Sequence, residues 1–412
     1  MANFSSHFKM EEKDIIIYAK ENLNIFDKDA FLKAKEIGDG NINYVFKVWD
    51  EISGKSVVIK HADVALRNTP GRLLDTDRNR IEAEILVLHS KLAPGHVPEV
   101  YNYDPIMCAL SMEDISDHGN LRHELLSRKK FPRFADDIST FMVNTLLLTT
   151  DLVMDSGEKK NKVRNYINID LCDISEKLVF SEPYTDYLGR NVILDENKVF
   201  VEKIIYDDKK LVLEAGKLKN AFMNNAQSLV HGDLHSGSIF VKEDSTMVID
   251  PEFAFYGPMG YDLGNVIGNL FFSWANAYVT MEDGEEKDNF LAYIEKTIVD
   301  IIDLFKEKFI KLYEEAVTDI MAKQEGYMEW YLSNVLSDAC GVAGLEILRR
   351  TVGDSKVVDI TCVENIEDRI IMERILILLG KNFILNRDKF TGGWEYINSI
   401  NNALQMAYGF LC

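Results

Sequence analysis

The chain has 412 residues, with 46 Lys and Arg against 67 Asp and Glu and a formal net charge of -21 at pH 7. That balance argues against nucleic acid or an anionic membrane surface as a partner, since neither attracts an acidic protein. The length is long for one hydrophobic core and predicts two lobes; five scattered cysteines without a C-x-x-C spacing indicate neither a disulfide framework nor a zinc site and suit a reduced, cytoplasmic compartment.

The first residues are polar and mixed in charge, without a signal-peptide pattern. The first informative segment is E-I-G-D-G-N-I-N-Y-V-F at 36–46. It fits the glycine-rich pattern G-x-G-x-x-G-x-V if Asn43 replaces the third glycine, Asn being the residue that best tolerates positive φ. Gly38, Gly40, Asn41 and Asn43 are therefore candidate nucleotide-binding positions. Taken alone, the pattern fits an ordinary hairpin loop equally well. Runs at 45–49 and 56–59 then flank a turn at 53–55 and read as a hairpin. Its second strand ends V-V-I-K, where Lys60 would reach the α and β phosphates of ATP.

A helix is predicted from an N-cap at Thr76 or Asp77 through Leu92, with Ile81, Ile85, Leu88 and Leu92 on its apolar face. Glu82 and Glu84 both lie on it and, being about 200° apart, cannot both face Lys60. The sequence does not choose between them. An apolar strand follows at 107–115 and ends in Met112, Glu113, Asp114 and Ile115, which are candidate contacts to adenine at a hinge between lobes.

From about residue 116 the pattern turns helical, with amphipathic stretches at 134–154, 213–229, 290–320, 328–351 and 366–385. The apolar runs at 141–154 and 370–385 are broken by Asn144, Asp151, Glu373, Arg374 and Lys381, so they read as core helices and not membrane spans. The expected division is a β-rich lobe at 1–115 and a helical lobe at 116–412, with the ligand in the cleft between them.

The most specific signal is a pair of loops, H-G-D-L-H-S-G-S at 231–238 and I-D-P-E at 249–252. Each Asp adjoins a short apolar strand, 239–241 and 247–249, joined by a turn at 243–245. That hairpin would bring Asp233, as general base, and Asp250, as metal ligand, to one mouth. Order and spacing match the catalytic loop of protein kinases. The glycines argue against a helical H-x-x-x-H metal pair; His231 is expected to prop the loop, while Asp250 and Glu252 are oxygen ligands suited to Mg²⁺.

With these motifs in view, the chain resembles the 5-methylthioribose kinase family, a small-molecule branch of the protein-kinase-like fold. The resemblance spans nearly the full length and is carried by 38–41, Glu113 and Asp114, 171–180, 231–240, D-P-E-F-A-F-Y-G-P at 250–258, and the paired Arg349 and Arg350. It implies an α+β, two-lobed protein-kinase-like fold with a small β-rich N-lobe and a large, mainly helical C-lobe. It also implies ATP and Mg²⁺ as cofactors and phosphorylation of the anomeric 1-hydroxyl of 5-methylthioribose in methionine salvage, in a cytoplasmic homodimer. Asp233 would orient and deprotonate the hydroxyl, Asp250 and Glu252 would hold Mg²⁺, and the carboxylate of Glu252 would compensate for Ser238 where kinases place Asn. One of Arg349 and Arg350 would contact sugar or phosphate, and the other would fix the helix to an acidic neighbour. The stretch 68–74 lacks the tryptophan of the family pattern, and 354–357 reads D-S-K-V. A kinase for 5-deoxyribose or another small sugar is therefore the alternative within the class, and a catalytically silent nucleotide-binding protein the alternative outside it.

Overall fold

The computed structural model describes residues 4–37, 42–64 and 73–409. The fold is α+β, with a small antiparallel sheet and a large helical region. The chain divides into two compact units, Met1–His118 with Met247–Ala254, and Gly119–Thr246 with Phe255–Cys412. The segment with the D-P-E motif, expected with the helical lobe, thus clusters with the first unit.

In the first unit, α1 (Glu12–Asn22), β1 (Leu32–Glu36), β2 (Tyr44–Asp50), β3 (Ser56–His61), α2 (Asp77–Leu92), β4 (Val100–Asp104) and β5 (Ala109–Met112) build an antiparallel sheet of order β1-β2-β3-β5-β4 with α1 and α2 packed on it. Strand alternation sets its faces. Phe46, Val48, Val57 and Ile59 join Ile15, Tyr18 and Ala19 of α1 in one core. The register opposes Val45 to Lys60 and Lys47 to Val58, so Lys60 and Lys47 share the other face.

The second unit begins with β6 (Gly119–Asn120), α3 (Leu121–Leu126), α4 (Phe134–Leu147), α5 (Ser156–Asn165), α6 (Ile169–Leu178), α7 (Glu182–Thr185), α8 (Lys198–Val201) and α9 (Lys209–Asn224). Then come β7 (Ser228–Val230), β8 (Ile239–Lys242), β9 (Ser245–Val248) and β10 (Phe255–Gly257). β9 crosses into the first unit at Met247, and the helices α10 (Gly260–Thr280), α11 (Glu285–Ala316), α12 (Tyr327–Val352), α13 (Val358–Thr361), α14 (Ile366–Asn386) and α15 (Trp394–Gly409) complete the second. α12 packs on both α10 and α14, and α11 on α4. Three glycines one turn apart let α10 approach α12: a Cβ at Gly260 or Gly264 would lie 2.5 Å from the α12 backbone, and one at Gly268 would lie 3.0 Å from it.

Three helical expectations run too far, the one over 290–320 ending at Ala316. The pattern at 213–229 is a helix only to Asn224; Leu229 and Val230 form β7, paired antiparallel with β10. A short run buried on both faces has no period that separates strand from helix. The helix expected over 134–154 ends at Leu147, and the hydroxyls of Thr149 and Thr150 bond back to the carbonyls of Thr145 and Leu147. Among the described residues no helix is long and apolar enough to cross a membrane.

Candidate functional site

The expected site residues fall into two groups, one in each unit. In the first, β3 carries Lys60 inward and α2 places Glu82 against it, with Lys60 Nζ 2.8 Å from Glu82 Oε2. Glu84 points outward and pairs with Arg80 at 3.0 Å. The choice that sequence left open therefore goes to Glu82. Asp250 adopts left-handed backbone angles, φ 68° and ψ 45°, which Asp tolerates. Its carboxylate also pairs with Lys60. A turn of 3-10 helix, Pro251–Phe253, brings Glu252 into the same cluster, so that carboxylate oxygens of Glu82, Asp250 and Glu252 lie within 4.8 Å of one another.

Asn43 does not supply the positive φ expected of a glycine substitute, because it is absent from the residues with that conformation. It acts through its side chain. Its Nδ2 donates to Glu252 at 2.7 Å, and its Oδ1 accepts from Arg78 at 3.0 Å. Arg78 Nε lies 3.6 Å from Glu252. Sequence reasoning missed Arg78, although its position one turn before Glu82 was a readable signal. Gly38, Gly40 and Asn41 lie outside the described residues, as do positions 68–72 of the loop lacking tryptophan.

Electrostatics in this cluster pull in opposite directions. Burial lowers the pKa of Lys60, but Asp250, Glu82 and Glu252 outweigh it, and the ammonium is held protonated above its usual range. Burial pushes Glu82 up to about 8 against the pull of Lys60, with Asp250 also raising it. Glu252 is raised as well, first by burial and then by Asp250. Carboxylates held together, two of them buried, are a hard oxygen donor set whose repulsion a divalent cation relieves, so the residues present fit Mg²⁺.

At the end of β5, Met112 pairs with Val58. The Glu113 N–H donates to Glu99 O at 2.8 Å, and Ile115 O accepts from the N–H of His118 at 2.9 Å. The Asp114 carboxylate accepts from Lys47 at 2.7 Å and Ser56 Oγ at 2.6 Å. Burial would raise its pKa, yet these donors, with Ser116, hold it below the usual range. On the Lys60 face of the sheet, Lys35, Ile37, Lys47, Trp49 and Ser56 line a pocket of about 390 Å³.

The second group centres on Asp233, in the loop between β7 and β8. Two backbone N–H groups of that loop, from His231 and Gly232, donate to Asp262 of α10 at 2.7 and 3.0 Å. Gly232 itself has φ 84°, where a side chain would be strained. Burial pushes Asp262 up to about 7, with the two backbone donors opposing. His231 Nδ1 accepts from the Asp233 N–H at 3.3 Å, in keeping with a propping role. Ser238 Oγ donates to the Asp233 carbonyl at 3.2 Å, closing the loop on itself.

Asp233 lies between two cationic or proton-bearing groups, Arg349 Nη2 at 3.2 Å and His235 Nε2 at 3.4 Å. Gly237 donates its N–H to His235 Nδ1 at 3.0 Å, leaving Nε2 to carry the proton towards Asp233. Burial would raise the Asp233 pKa, but His235, Arg349 and Arg350 hold it well below the usual carboxylate range. Arg349 and Arg350 occupy the last turn of α12 and both pair with Glu346, Arg350 Nε at 3.1 Å from it. Arg350 also donates to Ser355 O at 3.2 Å. Arg349 thus faces the Asp233 carboxylate, and Arg350 is held to Glu346 and Ser355 at the helix end. Sequence reasoning missed Asp262 and Glu346; only Glu346, three and four residues before the arginines, carried a spacing signal.

The family model described as a phosphotransferase enzyme family matches residues 207–293, which include Asp233, Asp250 and Glu252. A methylthioribose kinase from Erwinia tasmaniensis is 36% identical over 379 residues, 91% of this chain and 94% of that protein. One from Bacillus pumilus is 35% identical over 366 residues, 88% and 89% of the respective chains. Among solved structures, a choline kinase from Cryptosporidium parvum aligns over 96% of each chain with a TM-score of 0.46 and 10% identity. By its identity to curated relatives across nine-tenths of its length, the chain belongs to the methylthioribose kinase family.

Proposed function

We propose that this protein phosphorylates the anomeric 1-hydroxyl of S-methyl-5-thioribose with ATP, giving the 1-phosphate for methionine salvage. Kinship supports the acceptor. The observation that carries the chemistry is Asp233, a partly buried carboxylate kept ionised between Arg349 and His235. In the transfer, the bond from the γ-phosphorus to the bridging oxygen of ADP breaks and a bond to the sugar O1 forms. The O1 proton passes to Asp233. A carboxylate held this acidic is a weak base, so Asp233 first orients the hydroxyl by accepting its hydrogen bond. It takes the proton late, as O1 loses charge to phosphorus.

Lys60, fixed by Glu82, contacts the α and β phosphates. Asp250 and Glu252 would hold Mg²⁺, which would supply positive charge to offset that of the phosphates. The strand end at 112–115 receives adenine. Arg349 stabilises the negative charge beside Asp233 and contacts the sugar or the transferring phosphate, while Arg350 contributes mainly through its anchorage. The reading includes a homodimer in the cytoplasm, by family resemblance and the reduced-cysteine pattern.

5-Deoxyribose is the competing acceptor, because the D-S-K-V segment at 354–357 holds Arg350 through Ser355 and departs from the family pattern there. Coupled ADP release with Mg-ATP against 5-methylthioribose, 5-deoxyribose, ribose and choline tests both readings. A kcat/KM preference for 5-methylthioribose is expected. Preference for 5-deoxyribose would move the acceptor, and tight ATP binding with no turnover on any of the four would favour a silent binding protein.

A further inference from the structure

We propose that Asn269 and Glu346 form a positioning pair that ties the catalytic loop to the twin arginines, setting the Arg349 guanidinium against Asp233 where the acceptor sugar binds. The proposal rests on the functional reading above for the roles of Asp233 and Arg349, and goes beyond it in naming what places them.

Asn269 is on α10 and is fully buried. Its amide uses every hydrogen-bonding position it has. Oδ1 accepts from Ser236 Oγ of the catalytic loop and from Arg122 Nη2, each at 3.1 Å. Nδ2 donates to the Asn265 carbonyl at 2.9 Å and to Glu346 Oε1 at 3.1 Å. Turning the amide over would set donors against donors and acceptors against acceptors, so its orientation is fixed. One side chain thereby connects the loop carrying Asp233 with the carboxylate that holds both arginines.

Glu346 solves a geometric problem. Arg349 and Arg350 leave the helix about 100° apart and cannot form a flat clamp unaided. A carboxylate three and four residues earlier reaches both. Arg350 Nε sits 3.1 Å from Oε1, and Arg349 Nε pairs with Oε2. The second guanidinium edge of Arg349 is then directed to Asp233, with Nη2 3.2 Å from Oδ1. Close helix packing makes the arrangement possible. A Cβ on Gly268 would lie 3.0 Å from Ala343 O and 3.3 Å from Glu346 Cβ, so a larger residue there crowds the stem of Glu346. Arg122 closes the loop side, with Nε 3.1 Å from Ser236 Oγ and Nη1 3.2 Å from where a Gly237 Cβ would be.

Such a buried ionic network is a poor source of stability compared with apolar packing, and it adjoins the reacting carboxylate. Positioning accounts for it better than rigidity alone. Removing either partner tests this. Asn269→Asp sets carboxylate oxygens against Glu346 Oε1 and the Asn265 carbonyl, and Glu346→Gln takes the shared carboxylate from both guanidiniums, leaving Arg349 with Asp233.

The experiment measures acceptor kcat/KM and Mg-ATP Kd for wild type and the two variants, with crystal structures of all three proteins. Each variant is expected to lose about 100-fold in acceptor kcat/KM, the scale of a 1 Å misplacement, with Mg-ATP Kd unchanged. Variants that keep full acceptor kcat/KM, or that lose Mg-ATP affinity in parallel, overturn the proposal. Should the wild type turn over none of the sugars, the functional reading fails by itself. The crystal structures still decide the pair: Arg349 leaves Asp233 in both variants, or it stays in place and the pair positions nothing.

Discussion

Asp233 carries the most consequential local chemistry, because its acidity sets what it can do. Its pKa is held well below the ordinary carboxylate value by His235, Arg349 and Arg350, against burial. The group is therefore ionised throughout the range above about pH 4, and kcat/KM should show no acid limb from Asp233 between about pH 5 and 8. An acid limb in that window abolished by Asp233→Asn would disprove the assignment. Asp233→Ala should lower kcat by about 10²- to 10⁴-fold with Mg-ATP Kd unchanged, measured by coupled ADP release and calorimetry. Glu346 makes a stability prediction from the same physics. The arginines bring its folded pKa down to about 2 against the burial that would raise it. A depressed carboxylate contributes stability above its unfolded pKa, near 4.5, that is lost as pH falls towards 2. Urea midpoints should decline over that window in the wild type and decline less in Glu346→Gln. The two candidate partners of Lys60 are now separable: Glu82→Gln should raise the KM for ATP, since Lys60 loses the carboxylate 2.8 Å from its Nζ. Glu84→Gln, altering an exposed pair with Arg80, should leave that KM nearly unchanged.

Elements with their own periodicity were legible. α2 runs Asp77–Leu92 as its apolar spacing and N-cap indicate, and the β2–β3 and β8–β9 hairpins form around their expected turns. What sequence could not show depends on partners distant in the chain. β7 is a strand because β10 is there to pair with it, and Asn43 works through Glu252, 209 residues away. The helix contacts behind the catalytic loop were hidden for the same reason, since the glycines of α10 acquire meaning only against α12. Gly264→Ala puts a Cβ 2.5 Å from Ala339 O. Overpacking of that kind should cost about 1–3 kcal/mol, read as a lower urea midpoint. At the D-P-E turn, Glu252→Ala should raise the Mg²⁺ concentration needed for half-maximal rate, because it removes a carboxylate from an oxygen donor set. An unchanged requirement would take Glu252 out of metal binding.

At the scale of the whole molecule, the sequence conveyed the α+β character and the kinase-type order of motifs. The path of the chain was less accessible. The segment Met247–Ala254 returns to the first unit, so Lys60, Glu82, Asp250 and Glu252 assemble there although up to 192 positions separate them in sequence. No local pattern encodes that return; it follows from where β9 leads once its hairpin with β8 has formed. The net charge of -21 gives anionic phosphates no general attraction to the surface, so their binding depends on particular groups such as Lys60. The central claim is the transfer of a phosphoryl group to an anomeric oxygen, and phosphorus NMR of the product from Mg-ATP and 5-methylthioribose tests it most directly. A new phosphomonoester signal coupled to the anomeric proton is expected. A phosphate coupled to any other sugar proton, or no product with folded, ATP-bound enzyme, would contradict it.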